Sequence, residues 1–71
     1  MKFRTGLDRK DFNILKYIEY TFEKPTVRSI GEIVNMSVTG TWKRLKRLIR
    51  LGYVVRNGNG WELTDSGFRE L

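Results

Sequence analysis

The sequence predicts an α+β domain that is mainly helical: three helices, a small antiparallel sheet with a β-hairpin, and a short C-terminal helix. Three observations predict it. Apolar residues recur at helical spacing in three separate stretches, as in Leu15-Ile18-Phe22, Ile30-Ile33-Val34 and Leu45-Leu48-Ile49. The break between the second and third stretches is Asn35-Met36-Ser37, a residue that tolerates left-handed backbone followed closely by one that caps helices. After Gly52 the period changes to two, in Tyr53-Val54-Val55-Arg56 and Trp61-Glu62-Leu63-Thr64, on either side of Asn57-Gly58-Asn59-Gly60.

Residues 1–6 carry Lys2 and Arg4 and read as a flexible basic arm. A frayed terminus is the plainer reading and an arm touching phosphate the other. The first helix is expected over 8–24. Asp8 is its N-cap, Asp11 stands at N3 as the capping-box acid, and Leu7 and Phe12 fall at the hydrophobic-staple positions. The stripe of Leu15, Ile18 and Phe22, with Ile14 beside it, makes it a core element, and Tyr17 and Tyr20 read as packing residues. Pro25 prevents continuation. Thr26 and Val27 favour extended backbone; paired with the hairpin they would complete a small three-stranded sheet.

The second helix is expected over 29–35, with Ser29 or Thr26 as its cap. Ile30, Ile33 and Val34 turn inward, Met36 is the buried turn residue, and Gly31 lies where the next helix must pass close. The third helix is expected over 37–51 behind the N-cap Ser37. Val38, Thr41, Leu45, Leu48, Ile49 and Gly52 fall on its inward side, and Thr39, Gly40, Lys43, Lys46, Arg47 and Arg50 are turned away from them. The hairpin, over 53–64, is marginal alone and must pack on the helices, through Leu63 and one or both of Val54 and Val55. Thr64 or Asp65 then caps a final short helix over 65–71, with Phe68 and Leu71 closing the core.

Composition narrows the function. The 71 residues fit one domain, and a chain of this size buries only about 60% of the surface its unfolded form exposes. With no cysteine and no histidine, the chain lacks the disulfide framework, the thiolate metal site, the commonest metal ligand and the commonest general base. No nucleophile has a base beside it, and the glycines around Asn57 match neither a P-loop nor a dinucleotide fingerprint. An enzyme is not expected, and neither is a cofactor or a metal. No apolar run approaches a membrane span and the amino terminus has no secretory h-region, so the expected location is cytoplasmic.

Charge supplies the positive signal. Eight acids face fourteen bases, a formal net charge of +6. No acid occurs between Glu32 and Glu62, and that gap holds six bases: Lys43, Arg44, Lys46, Arg47, Arg50 and Arg56. The other eight bases balance the eight acids, so the whole excess sits on the third helix and the segment after it. A solvated helix face normally mixes signs for i,i+4 pairing. A face of one sign is the footprint of a polyanion binder.

Two helices joined by a tight turn, apolar behind and cationic in front, make a helix-turn-helix. With the hairpin directly after it, the whole is a winged helix-turn-helix. Pro25-Thr26-Val27-Arg28-Ser29-Ile30-Gly31-Glu32-Ile33-Val34 resembles the run that opens this motif in LexA-type repressor DNA-binding domains. Leu45-Lys46-Arg47-Leu48 with Leu51-Gly52-Tyr53-Val54 resembles the end of the recognition helix and the first wing strand in that family and in MarR-type regulators. Leu63-Thr64-Asp65-Ser66-Gly67 looks like the segment that follows the wing in many winged-helix regulators. The resemblance covers roughly residues 7–67. It departs from LexA-type repressors in leaving no residues for a self-cleaving serine/lysine domain, and from MarR-type regulators in lacking their terminal dimerisation helices. Gly40 and Trp42 replace the small polar residues usual there. By this analogy Thr39, Trp42, Lys43 and Lys46 would meet bases, and Arg56, Asn57 and Asn59 would be wing contacts. Trp42 and Trp61 also have a packing reading, Trp42 against the wing.

The expected function is therefore a double-stranded DNA-binding transcription regulator of repressor type. Lys43, Lys46, Arg47 and Arg50 would neutralise phosphates and reach guanine edges, and Ser37 and Thr39 would bind phosphate at the helix N-terminus. One module of this size buries only about 600–1,000 Å² on DNA, so tight operator binding calls for a homodimer on a palindromic site. No small-molecule effector is evident. The alternative is a winged-helix protein–protein interaction module in a transcription or replication assembly, a class that often loses the one-sided charge. RNA is a third ligand that phosphate charge alone does not distinguish.

Overall fold

The computed structural model describes residues 6–71. Of the basic arm expected over 1–6, everything but Gly6 lies outside the described residues. The elements are α1 (Arg9–Tyr20), α2 (Val27–Val34), α3 (Val38–Arg50), β1 (Val54–Asn57), β2 (Gly60–Leu63) and α4 (Asp65–Arg69). This is the α+β winged-helix arrangement, with α1–α3 packed around one core and a two-stranded antiparallel sheet against them. None of the described helices is long and apolar enough to cross a membrane.

Local capping chemistry sets most of the boundaries. Asp8 caps α1: its carboxylate accepts from the Asp11 N–H at 2.9 Å, and the Asp11 carboxylate accepts from the Asp8 N–H at 3.1 Å. Leu7, at the staple position, is buried, and Phe12 packs partly buried on the core. The helix is shorter than expected. It ends at Tyr20, with Thr21 already extended at φ −73°, ψ 140°. The Thr21 hydroxyl then accepts from the Glu23 N–H, which turns the chain away from the helix axis. Phe22 therefore leaves the apolar stripe and is fully exposed, and Tyr20 is exposed as well.

Thr26 and Val27 form no strand. Thr26 is the N-cap of α2 and Ser29 its N3 partner, in a reciprocal box: the Ser29 N–H donates to the Thr26 hydroxyl at 3.1 Å, and the Thr26 N–H to the Ser29 hydroxyl at 2.9 Å. Those bonds draw Val27 and Arg28 into the helix, so the sheet keeps only two strands. The core face of α2 is Ile30, Gly31 and Val34, and Ile33 points out.

Asn35 sits in the left-handed region at φ 59°, as the turn between α2 and α3 requires. The Met36 N–H closes back on the Gly31 carbonyl at 2.8 Å, and the Lys10 ammonium donates to the Val34 carbonyl at 3.0 Å, so the carbonyl end of α2 is well satisfied. Met36 is only partly buried. Gly31 permits the crossing of the two helices. A Cβ there would stand 2.9 Å from both the Met36 carbonyl oxygen and the Thr41 hydroxyl.

Ser37 caps α3, accepting from the Gly40 N–H at 3.0 Å. The buried side of α3 is Thr41, Leu45 and Leu48; Val38 and Ile49, expected inward, lie on a flank and are exposed. At the other end Gly52, at φ +85°, lets the Tyr53 N–H reach the Leu48 carbonyl and its own N–H the Ile49 carbonyl. This closure aims the chain straight into β1. Val54 and Trp61 are buried, Leu63 is partly buried, and Val55 points to solvent. Asn57 pairs with Gly60 across a turn of Gly58 and Asn59. Trp61 anchors the sheet by burying a surface of about 150–250 Å², set against the roughly 1–3 kcal/mol cost of its Nε1–H, which has no acceptor among the described residues. The closing helix, capped by Thr64, docks through Gly67 against the Tyr53 carbonyl. Phe68 and Leu71 remain exposed and do not close the core: Phe68 lies about 100° around the helix from the docked Gly67, and the helix ends at Arg69, before Leu71.

The tie between α1 and α3 is ionic. Asp11 is fully buried and receives Arg44 at 3.0 Å and Arg47 at 3.0 Å. Arg44 also reaches Asp8 at 2.7 Å, and Arg47 donates to the Gly6 carbonyl at 2.6 Å. The hydrogen bond from Arg44 holds the Asp8 carboxyl below its ordinary value, helped by the Asp11 N–H and opposed by a little desolvation. Arg44 is correspondingly raised.

Two outcomes follow from this packing. Gly31→Ala should lower the melting temperature by about 5–10 °C by circular dichroism, since overpacking at a backbone contact outweighs the helix-propensity gain. A melting temperature at or above wild type would show that α2 and α3 can separate at no cost. The second concerns acid. A carboxyl depressed in the fold contributes stability that is complete above its unfolded pKa and lost as pH falls through the folded one. Urea unfolding should therefore show wild type losing stability below the ordinary Asp value of 3.8. Asp8→Asn, which keeps an N-cap, should lose less over the same range. Equal losses would mean that the Asp8–Arg44 pair contributes nothing.

Candidate nucleic-acid interface

The ion pairs divide the cations of α3. At about 100° per residue, Thr41, Leu45 and Leu48 occupy the inward side, and Arg44 lies on the flank toward α1. Thr39, Lys43, Lys46 and Arg50 fall within about 60° of one another on the outward side. All four are exposed. None of the described acids forms an ion pair with Lys43, Lys46 or Arg50; the three ion pairs found all belong to Arg44 and Arg47.

Arg47 is the residue whose place differs most from a freely presented cation. It lies between the two sets, and two of its guanidinium nitrogens are committed to Asp11 and Gly6. Its side chain is still 44% exposed. Lys43, Arg44 and Arg47 line one shallow depression with Asp8, Met36 and Gly40. At the start of the helix the Ser37 hydroxyl is used as an acceptor by Gly40, which leaves its own proton to donate.

The opposite flank of α3 meets the wing. The rings of Trp42 and Trp61 pack edge to face, with centroids 5.5 Å apart and planes at 72°. Trp42 thus packs against the wing and stays half-buried. Trp61 is buried and structural. The Arg56 guanidinium lies 5.2 Å from the Trp42 ring and 5.1 Å from the Trp61 ring, and the Lys46 ammonium 6.0 Å from Trp42. Such contacts are worth about 0.5–1 kcal/mol at an exposed site, enough to bias Arg56 toward one orientation. Its N–H donors have no hydrogen-bond partner among the described residues. Farther along the hairpin, the Asn57 amide donates to the Glu62 carboxylate across the strands, while Asn59 is exposed in the turn with no hydrogen-bond partner among the described residues.

One cation was hidden from sequence reasoning. The Lys24 stem lies over Gly60, where an added Cβ would come within 2.5 Å of its Cγ, and its ammonium reaches Gly58. The small residues of the turn leave room for a side chain from the α1–α2 connection. The sequence carries no local signal for this contact, since Gly60 already reads as a turn glycine.

The geometry is thus an exposed basic helix, held from behind by α1 and α2 and flanked by a hairpin carrying a stacked arginine. A family model for winged helix-turn-helix DNA-binding domains matches residues 7–55, from the staple leucine into the first wing strand. No curated protein matches the chain. The chain belongs to the winged helix-turn-helix DNA-binding family.

Proposed function

We propose that the protein is a transcriptional regulator that inserts α3 into the major groove of double-stranded DNA and lays the wing on the adjacent backbone or minor groove. One observation carries the reading. Thr39, Lys43, Lys46 and Arg50 share an exposed face whose cations have no acid paired to them among the described residues, while Arg44 and Arg47 turn their charge to Asp8 and Asp11. A face built only for solvation would pair its own charges; this one leaves them for an external polyanion.

The residues take different parts. Lys43, Lys46 and Arg50 neutralise phosphates and reach base edges, and Thr39 and Ser37 take a phosphate near the start of α3. Arg56 and Asn59 serve the wing, with Asn57 held by Glu62 as its support. Arg47 acts chiefly by fixing α3, with its exposed edge turned to the backbone. Trp42 orients Arg56 and Lys46. A homodimer on a palindromic site would supply the contact area that tight operator binding needs.

The test is fluorescence anisotropy on a random 20-base-pair duplex. With six phosphate contacts, affinity should fall about 10³-fold between 50 and 200 mM salt. Lys43→Ala/Lys46→Ala should weaken binding and reduce the salt slope by about two. Salt-independent binding, or an unchanged slope in the double variant, would remove α3 from the interface.

A further inference from the structure

An apolar cleft opens in the middle of this cationic surface. Its volume is about 370 Å³, and Val27, Val38, Thr39, Trp42 and Arg56 line it. Val38 and Val27 are the first helical residues of α3 and α2, so the turn between the helices and the edge of the wing bring them to one place. Val38 is 52% exposed. Trp42, one turn further along α3, forms a rigid wall because Trp61 holds its ring from the other side. Arg56 stands at the rim over the same ring.

An exposed valine and a half-buried tryptophan gain nothing from facing water. They also lie where phosphate-seeking side chains would be expected. The occupant must therefore carry a small apolar group on a polyanion. The major-groove edge of B-DNA displays one such group, the C5-methyl of thymine. We infer that Val38, Val27 and Trp42 form a thymine-methyl site that gives α3 a preference for A·T pairs at one position, with Thr39 and Arg56 meeting the polar groups beside it. The inference rests on the DNA-binding reading above and names the base feature that reading leaves open.

The methyl can be removed without touching charge or pairing. Anisotropy at one low salt concentration would compare a 20-base-pair alternating A·T duplex with its deoxyuridine counterpart. The alternating sequence presents a thymine in the site in every other register. Wild type should bind the uridine duplex about fourfold more weakly, the equivalent of one buried methyl. Val38→Ala should bind both duplexes alike, at close to the wild-type affinity for the uridine duplex. Lys46→Ala should weaken both and keep the ratio. Equal binding of the two duplexes by wild type would overturn the methyl site and leave DNA binding standing. A ratio that survives in both Val38→Ala and Val27→Ala would place methyl recognition elsewhere and equally overturn it. If neither duplex bound at low salt, the DNA-binding reading would fail, and the methyl site with it.

Discussion

The buried carboxylate of Asp11 is the constraint on which the rest of the molecule depends. It belongs to the first turn of α1, completes the cap of that helix and receives two arginines from α3. An unpaired charge at full burial would be costly, so its presence obliges Arg44 and Arg47 to stay where they are. That obligation fixes the rotation of α3 about its own axis. Thr41, Leu45 and Leu48 then face the core, and Thr39, Lys43, Lys46 and Arg50 face out. The orientation of the basic face is thus set from the flank of α3 that meets α1.

The wing supplies the second restraint. Trp61 enters the core from β2, Trp42 leans on it from α3, and Arg56 is stacked on both rings. This makes the hairpin a rigid neighbour of α3, which a two-stranded ribbon would not be by itself. The same stack walls the apolar cleft, so the element that stabilises the wing also shapes the surface beside the exposed lysines. Lys24 adds a cation at the wing turn from the far side of the sequence.

Interactions that span a few residues were legible in the sequence. The Asp8/Asp11 box, the left-handed Asn35, the Ser37 cap, the close approach at Gly31 and the turn around Gly58 all follow from residue type and spacing. Interactions between distant residues were not. Nothing local marks Arg47 as a partner of Asp11, 36 positions away, so it read as one more outward cation. Phe22 continues the stripe by period alone, and helical period carries no stop signal at Thr21. β-propensity favours extended backbone at Thr26 and Val27, and a reciprocal cap between Thr26 and Ser29 overrides it. Phe68 and Leu71 fit an apolar pattern, but the pattern does not show that the last helix docks through Gly67, which turns Phe68 aside, and stops at Arg69, before Leu71.

The central claim is that one face of α3, together with Arg56 and the wing turn, meets DNA while Arg44 and Asp11 hold it from behind. The most direct measurement is an NMR titration of the ¹⁵N-labelled protein with a 20-base-pair duplex. The account predicts that the largest shifts fall on the backbone of residues 37–50 and 56–59 and on the side-chain amide of Asn59, with α1 and α4 nearly unmoved. Shifts concentrated on α1 and α4, with α3 unchanged, would contradict it.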